Sequence, residues 1–478
     1  MPRMAITTIA AIIVLTASTP GFADASAGAV IEAIDARLGD HRRIALAIWD
    51  YAELGYLEEK SSALLQKTLR DEGFRVEAGV AGIPTAYLAE AGQGGPVIAL
   101  LSEFDALPGI TQTAAPEREE IPGKAGGHAC GHHLLGTASL GAAIAVKEWL
   151  AENDFEGRVR LYGTPAEEGG SGKVYMVRAG LFDDVDAVLT WHPSDVNRAG
   201  AKGSLANRSA KFRFHGVSAH AAAAPEKARS ALDGVEAFNY MINLLREHVP
   251  QETRIHYVIT SGGKAPNVVP DFAEVYYYVR HPEADMVRSI WERIEKAARG
   301  AAGGTGTQVD LEVIHGNMNV VPNEALAELM QRNLEHVGGI EYDATEQAFA
   351  EKIFATLDHP EFALGSEKTV QPIDREIDMG STDVGDISWI VPTTELETAT
   401  WVPGTSAHSW QAIAAGGTTI GIKGLQVAAK TLALTAIDLY RDPERLRQAG
   451  DELKERRGAG FEYRSLLGDR DPPLDYRR

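Results

Sequence analysis

The sequence predicts an α/β fold, a mainly parallel sheet with flanking helices, carrying an inserted α+β unit. Three observations point there. Near-continuous apolar runs such as PVIALLSEFD (Pro96–Asp105) read as strands buried on both faces. Such runs alternate with stretches of helical period, as parallel strands joined by crossover helices do. Between Leu205 and Gly316 the order becomes β-α-β-β-α-β, the ferredoxin-like arrangement.

The opening residues carry Arg3 and then an apolar run from Ala5 to Ala17, too short to span a bilayer comfortably. Small residues at Gly21 and Ala23 suit cleavage before Asp24, so residues 1–23 are expected to be a signal peptide and the protein periplasmic or secreted. Residues 24–204 form the first part of the main domain. Helices are expected at Ile31–Leu57, Ser61–Glu72, His132–Leu150 and Lys173–Leu181. Strands are expected at Pro96–Asp105, Arg158–Pro165 and Ala187–Pro193.

The insertion, residues 205–317, opens on the alternating strand ANRSAKFRFHG. In the helix Ser230–His248 one stripe carries Leu232, Val235, Phe238, Met241, Ile242 and Leu245. The strands TRIHYVIT and AEVYYYVRHP, the helix Asp285–Ala302 and the strand TQVDLEVIHG complete it. Residues 318–445 return to the main domain and close it with the helix Thr418–Tyr440. The charged tail 446–478, with Pro472 and Pro473, is expected to run over the surface.

Against 46 basic side chains stand 67 acidic ones, a net charge of −21, which repels nucleic-acid phosphates and anionic membrane surfaces. Neither nucleic acid nor membrane is an expected partner of the mature chain. One cysteine, Cys130, excludes an intrachain disulfide. In an exported protein a lone thiol is explained if a metal holds it as thiolate.

In parallel sheets ligands gather at the carboxyl ends of strands. Three predicted strands end in Asp105, in Glu167 with Glu168, and in His192, which predicts one site at one sheet edge. GGHACGHHLLG (Gly126–Gly136) opens a helix with Cys130 and His132 two apart, both good ligands for zinc-like ions. His128, His132 and His133 crowd this stretch, too many to be core filling, and spacing alone leaves open which of them ligate. Adjacent carboxylates Glu167 and Glu168 on extended backbone would point apart, one to a metal and one to substrate as general base. GTSAHSW adds His408 in a Gly/Ser loop. Each residue alone has a plainer reading, a buried thiol, solvated glutamates or structural histidines; the combination favours a metal site.

SEFDALPG, HACGHHLLGTA, PAEEGGSGKVYMVRAGLFDDVDAVLTWHP, GVSAHAA, PNVVPD, STDVGDISW and GTSAHSW together resemble the dinuclear metallopeptidase family of aminoacylases and glutamate carboxypeptidases. Within it, the chain is most similar to the p-aminobenzoyl-glutamate hydrolase B-subunit group, from about Ile31 to Tyr440. The resemblance implies a catalytic domain of metal-dependent exopeptidase type, two divalent ions (manganese or zinc), and an inserted domain that mediates homodimerisation. It makes Cys130, His132, Glu168, His192 and His408 the ligands and Glu167 the general base. Asp105 would orient a ligand histidine, and His220 would polarise the scissile carbonyl from the partner subunit. Asn267 and Arg280 match positions that hold the substrate's carboxylate, for which an Arg fork is suited. His133 and Leu135 stand where many relatives carry Asp and a further histidine, and Glu103 where other branches carry a ligand histidine.

The expected function is that of a metal-dependent amidohydrolase cleaving the amide bond of small N-acyl or N-aroyl amino acids. A dipeptidase or broad carboxypeptidase with the same machinery is the alternative. A catalytically dead binding protein is disfavoured because a binder needs no general base.

Overall fold

The structure is a computed structural model that describes residues 21–477; the apolar run read as a signal peptide lies outside them. A seven-stranded sheet forms the centre of the main domain. Its four inner strands, Gly157–Gly163, Val97–Ser102, Ala187–Ser194 and Thr393–Ala399, are neighbours in that order and run parallel. Antiparallel strands flank them: Tyr87–Gln93 and Arg75–Ala78 on one side, Arg198–Gly200 on the other. The strand at Val97–Ser102 is buried at every residue, as its unbroken apolar run requires.

Helices cover both faces. On one, His132–Glu152 packs against Thr419–Arg441 in the largest core, with Leu38–Tyr51 beside them. These two long helices are apolar enough to cross a membrane, yet 83% and 89% of their most apolar windows are buried in this core. On the other face, Gly172–Arg178 and Val384–Ser388 enclose a second apolar cluster around Leu101, Tyr162 and Phe182. The expected single helix at Ile31–Leu57 is two, Gly21–Ala36 and Leu38–Tyr51, the second ending at Ala52 in a left-handed conformation.

The second unit is an antiparallel sheet of four strands, ordered Arg254–Ser261, Phe272–His281, Ala206–His215, Gln308–Asn317. Helices Ala231–Leu245 and Ala284–Thr305 pack on one face, over a core that includes Phe212, Phe238 and Trp291. With the β-α-β-β-α-β chain order, this is ferredoxin-like topology. Met241, assigned to the buried stripe, is instead 41% exposed, beside exposed Tyr240 and Leu244. The outer strand Arg254–Ser261 leaves Val258 and Ile259 exposed as well.

The last stretch departs from the expected surface tail. Pro443–Arg457 is a helix packed against Glu324–Val337. Beyond it, Leu466 packs in the core of the second unit, against the strand Gln308–Asn317 at Gly316. The chain then ends at the central sheet, with Leu474 and Tyr476 against its second apolar cluster.

Candidate active site

The carboxyl ends of the inner strands converge on a cavity of about 600 Å3 between the two sheets. The strand Val97–Ser102 leads directly into Glu103 and Asp105, and Gly157–Gly163 into the loop with Glu167 and Glu168. His192 sits near the end of the third strand, and Glu395 and Glu397 line the cavity from the fourth.

Cys130 reaches the cavity because Gly131 turns the chain sharply before the helix His132–Glu152. Gly131 has φ +78°, and a Cβ there would lie 2.7 Å from Pro193. The Glu167–Gly170 turn is held between two non-glycine residues in the left-handed region, Ala166 (φ 58°) and Ser171 (φ 57°). His408 adopts φ 60°. Such conformations each cost about 1–3 kcal/mol and gather at functional sites. The two glutamates therefore lie on a tight turn, not on the extended backbone read from the sequence, and they still diverge: Glu167 groups with Glu103 and His132, Glu168 with Cys130 and His408.

The donor set fits a metal centre. Ligand atoms of Cys130, His132 and His192 lie within 4.8 Å of one another, and so do those of Cys130, Glu168 and His408. His132 donates from Nδ1 to Asp105 Oδ1 at 2.9 Å, which leaves Nε2 turned inward. Asp105 Oδ2 accepts the Glu168 N–H at 3.0 Å, so one carboxylate orients a histidine and braces the neighbouring loop. His192 uses Nδ1 on the Pro193 carbonyl at 2.8 Å and lies with Nε2 3.2 Å from the Cys130 sulfur. His132 Nε2 and Glu168 Oε1 are buried without hydrogen-bond partners, although Glu103 Oε2 and His408 Nε2 stand 3.1 and 3.2 Å away. Buried polar atoms left unpaired around one point are what a cation would satisfy.

Charge follows the same logic. Burial lowers the His192 pKa and keeps the imidazole neutral, the form that ligates. Burial, then Glu168, raises the Cys130 thiol well above its ordinary range; a divalent cation would reverse that balance. Burial and the charges of Glu103 and Glu168 push Glu167 well above the usual carboxylate range, as suits a base that must later release its proton.

The other two histidines of the crowded stretch face away. His133 Nε2 lies 3.0 Å from the Gly416 carbonyl and His128 Nε2 3.0 Å from the Ile48 carbonyl, both buried. Arg280 lines the cavity; His220 and Asn267 do not. His220 pairs with Val268 in a short bridge, and the Asn267 carbonyl accepts the Ala221 N–H at 3.0 Å. Both sit beyond the far end of the second sheet. Arg280 pairs with Asn207 at the near end and Phe272 with His215 at the far end. At about 3.4 Å per residue in an antiparallel strand, that separates the ends by roughly 27 Å. Asn267 and Arg280, grouped together by sequence, therefore cannot hold one carboxylate within a single chain.

Sequence reasoning missed several groups in and beside the cavity. Lys173 is fully buried, 2.8 Å from Glu103 and 2.5 Å from Asp383; burial opposes its charge, but those carboxylates outweigh it and keep the ammonium protonated. Glu397 is matched by Lys202 at 2.6 Å and Arg198 at 2.5 Å. Asn207, Tyr278, His315 and Arg477 also line the cavity. Alternation along AEVYYYVRHP is the signal that could have found Tyr278: Val275, Tyr277 and Val279 are buried with the helices, so Tyr276, Tyr278 and Arg280 face the opposite side.

The profile of peptidase family M20/M25/M40 matches residues 99–385. The chain is 42% identical over 449 residues to the B component of p-aminobenzoyl-glutamate hydrolase from Escherichia coli (strain K12), covering 88% of this chain and 93% of that one. It is 30% identical over 423 residues to the Xaa-Arg dipeptidase of Mus musculus, covering 85% and 87%. Among solved structures, a dinuclear metal-binding peptidase from Bacillus subtilis superposes with a TM-score of 0.56 at 19% identity, covering 85% of this chain and 99% of that one. The aminobenzoyl-glutamate utilization protein from Klebsiella pneumoniae gives 0.60 at 17%, covering 85% and 97%.

Proposed function

This chain belongs to peptidase family M20/M25/M40, and is thereby a hydrolase of amide bonds; from that premise we propose that it is metal-dependent and cleaves N-acyl or N-aroyl amino acids of the p-aminobenzoyl-glutamate type. The observation that carries the reading is Glu167, a carboxylate grouped with Glu103 and His132 and adjoining the clusters of Cys130, His132 and His192 and of Cys130, Glu168 and His408, in a cavity also lined by Arg280.

In this reading Cys130, His132, Glu168, His192 and His408 hold two divalent ions, manganese or zinc. Such ions supply Lewis acidity toward a carbonyl oxygen and make a nearby water more acidic. Glu167 takes the proton of the attacking water and passes it to the leaving nitrogen. Asp105 keeps His132 in the tautomer that presents Nε2. Arg280 binds the carboxylate of the departing amino acid. His220 and Asn267, too far from the cavity of their own chain, would act from a second copy; the exposed edge strand Arg254–Ser261 supports a homodimer formed there.

The similarity to a dipeptidase favours one second reading, a dipeptidase with the same machinery. The test is hydrolysis by the purified manganese- or zinc-loaded protein of N-benzoyl-glutamate, Gly-Leu and a dipeptide ending in arginine. Turnover of the benzoyl substrate at least about tenfold faster in kcat/KM supports the first reading, and preference for the dipeptides supports the second. Absence of all three activities removes both.

A further inference from the structure

Two guanidinium groups line the cavity, those of Arg280 and Arg477. Arg477 arrives on the segment 458–477, which crosses from the second sheet to the Glu167–Glu168 loop. Its approach is built in: Tyr476 packs edge-on against Tyr56 with ring centroids 5.5 Å apart. A Cβ at Gly55 would lie 2.3 Å from the Tyr476 hydroxyl. Tyr476 Oη and Arg477 Nη2 donate to the Glu168 carbonyl at 3.2 and 2.6 Å, and the Arg477 guanidinium stacks 4.6 Å from the Tyr476 ring centroid.

The electrostatics single out both arginines. Lys173 and Lys202, cations of the same region, are matched by Glu103 and Glu397 at 2.8 and 2.6 Å. Among the described residues no carboxylate pairs with Arg280 or Arg477, in a chain with 67 acidic side chains to offer. Both Nε atoms are buried without a partner, as is the Asn207 side-chain oxygen at the same cavity. Buried guanidinium N–H groups left unpaired call for an anion from outside.

We propose that Arg477 is a specificity-determining residue, presented by segment 458–477 to bind a second anionic group of the substrate, the side-chain carboxylate of an acidic leaving amino acid. Arg280 takes the α-carboxylate. The assignment rests on the N-acyl amino acid reading for the reaction, but it concerns binding of the amino-acid part and can be tested separately.

The experiment compares manganese-loaded wild type, Arg477→Ala and Tyr476→Phe on N-benzoyl-glutamate and its neutral isostere N-benzoyl-glutamine. Wild type should prefer the glutamate substrate by at least about 20-fold in kcat/KM, the scale of one charge-assisted bidentate contact. Arg477→Ala should erase that preference, mainly through KM, lowering kcat/KM for the glutamate substrate at least about 10-fold more than for the glutamine one. Tyr476→Phe, which keeps the guanidinium, should retain the preference. Equal losses on both substrates would overturn the proposal, because they assign Arg477 only to bracing the Glu168 loop. Should wild type turn over neither substrate, the reading of the reaction fails, and thermal stabilisation by free glutamate against free glutamine decides the present one. Stabilisation by glutamate alone, lost in Arg477→Ala, upholds it; equal or absent stabilisation overturns it.

Discussion

Cys130 and His41 are both buried, and their surroundings ask opposite things of them. Cys130 sits in an acidic pocket where burial and Glu168 raise its thiol pKa, so only a cation stabilises the thiolate. Cys130→Ser should weaken metal binding by at least about tenfold, measured by competition with a chelator. In the unaltered protein, metal should protect the thiol from alkylation at pH 8.5, and chelation should expose it. Equal alkylation rates in both states rule the sulfur out as a ligand. His41 lies far from that chemistry, accepting from Gln426 Nε2 at 2.7 Å between packed helices. Burial, aided by Arg37, pushes its pKa down to about 4. As pH falls below 6.5 the unfolded chain takes up this proton first, so stability present above pH 6.5 is lost toward pH 4. A drop of about 2 kcal/mol between pH 7 and 5 follows from that shift. His41→Gln should show a correspondingly shallower fall in Tm over this interval, and an unchanged fall would show that His41 does not titrate there.

The elements that carry the candidate ligands are short and conformationally forced. Gly131 combines φ +78° with a Pro193 contact that no Cβ could share. Gly131→Ala should therefore cost at least about 2 kcal/mol of stability and lower metal content at the same time. A folded variant with full metal content would show that this turn does not set Cys130 and His132. The parallel sheet, its buried strands and the β-α-β-β-α-β order were legible, because apolar runs and alternation are local signals. Family kinship was legible from the motifs as well. The strand Thr393–Ala399 was not, since it carries Glu395 and Glu397 into the interior, where Lys202 and Arg198 balance Glu397 from distant sequence. Lys173 was missed likewise: its partner Asp383 is 210 residues away, and no spacing rule links them. The break after Ala36 was hidden because His41, Ile44 and Ile48 sustain the helical stripe beyond it.

At the scale of the molecule, His220 and Asn267 lie at the opposite end of the second sheet from Arg280, so the proposed reading needs a second copy to bring them to a site. Its outer strand exposes Val258 and Ile259, and the helix Ala231–Leu245 exposes Tyr240 and Leu244, apolar surface that the proposed contact between copies would cover. If His220 acts in trans, mixing His220→Ala with Glu167→Gln chains yields hybrids with one intact site, and activity should return. Confirmed subunit exchange without recovery would place His220 outside the partner's site. The proposed mechanism rests on Glu167 serving as base beside a metal centre that other residues hold. Its most direct test is Glu167→Gln, with metal content and N-benzoyl-glutamate turnover measured on the same preparation. The mechanism predicts metal content equal to wild type and a fall in kcat of at least about 100-fold. Substantial remaining turnover, or loss of the metal, would contradict it.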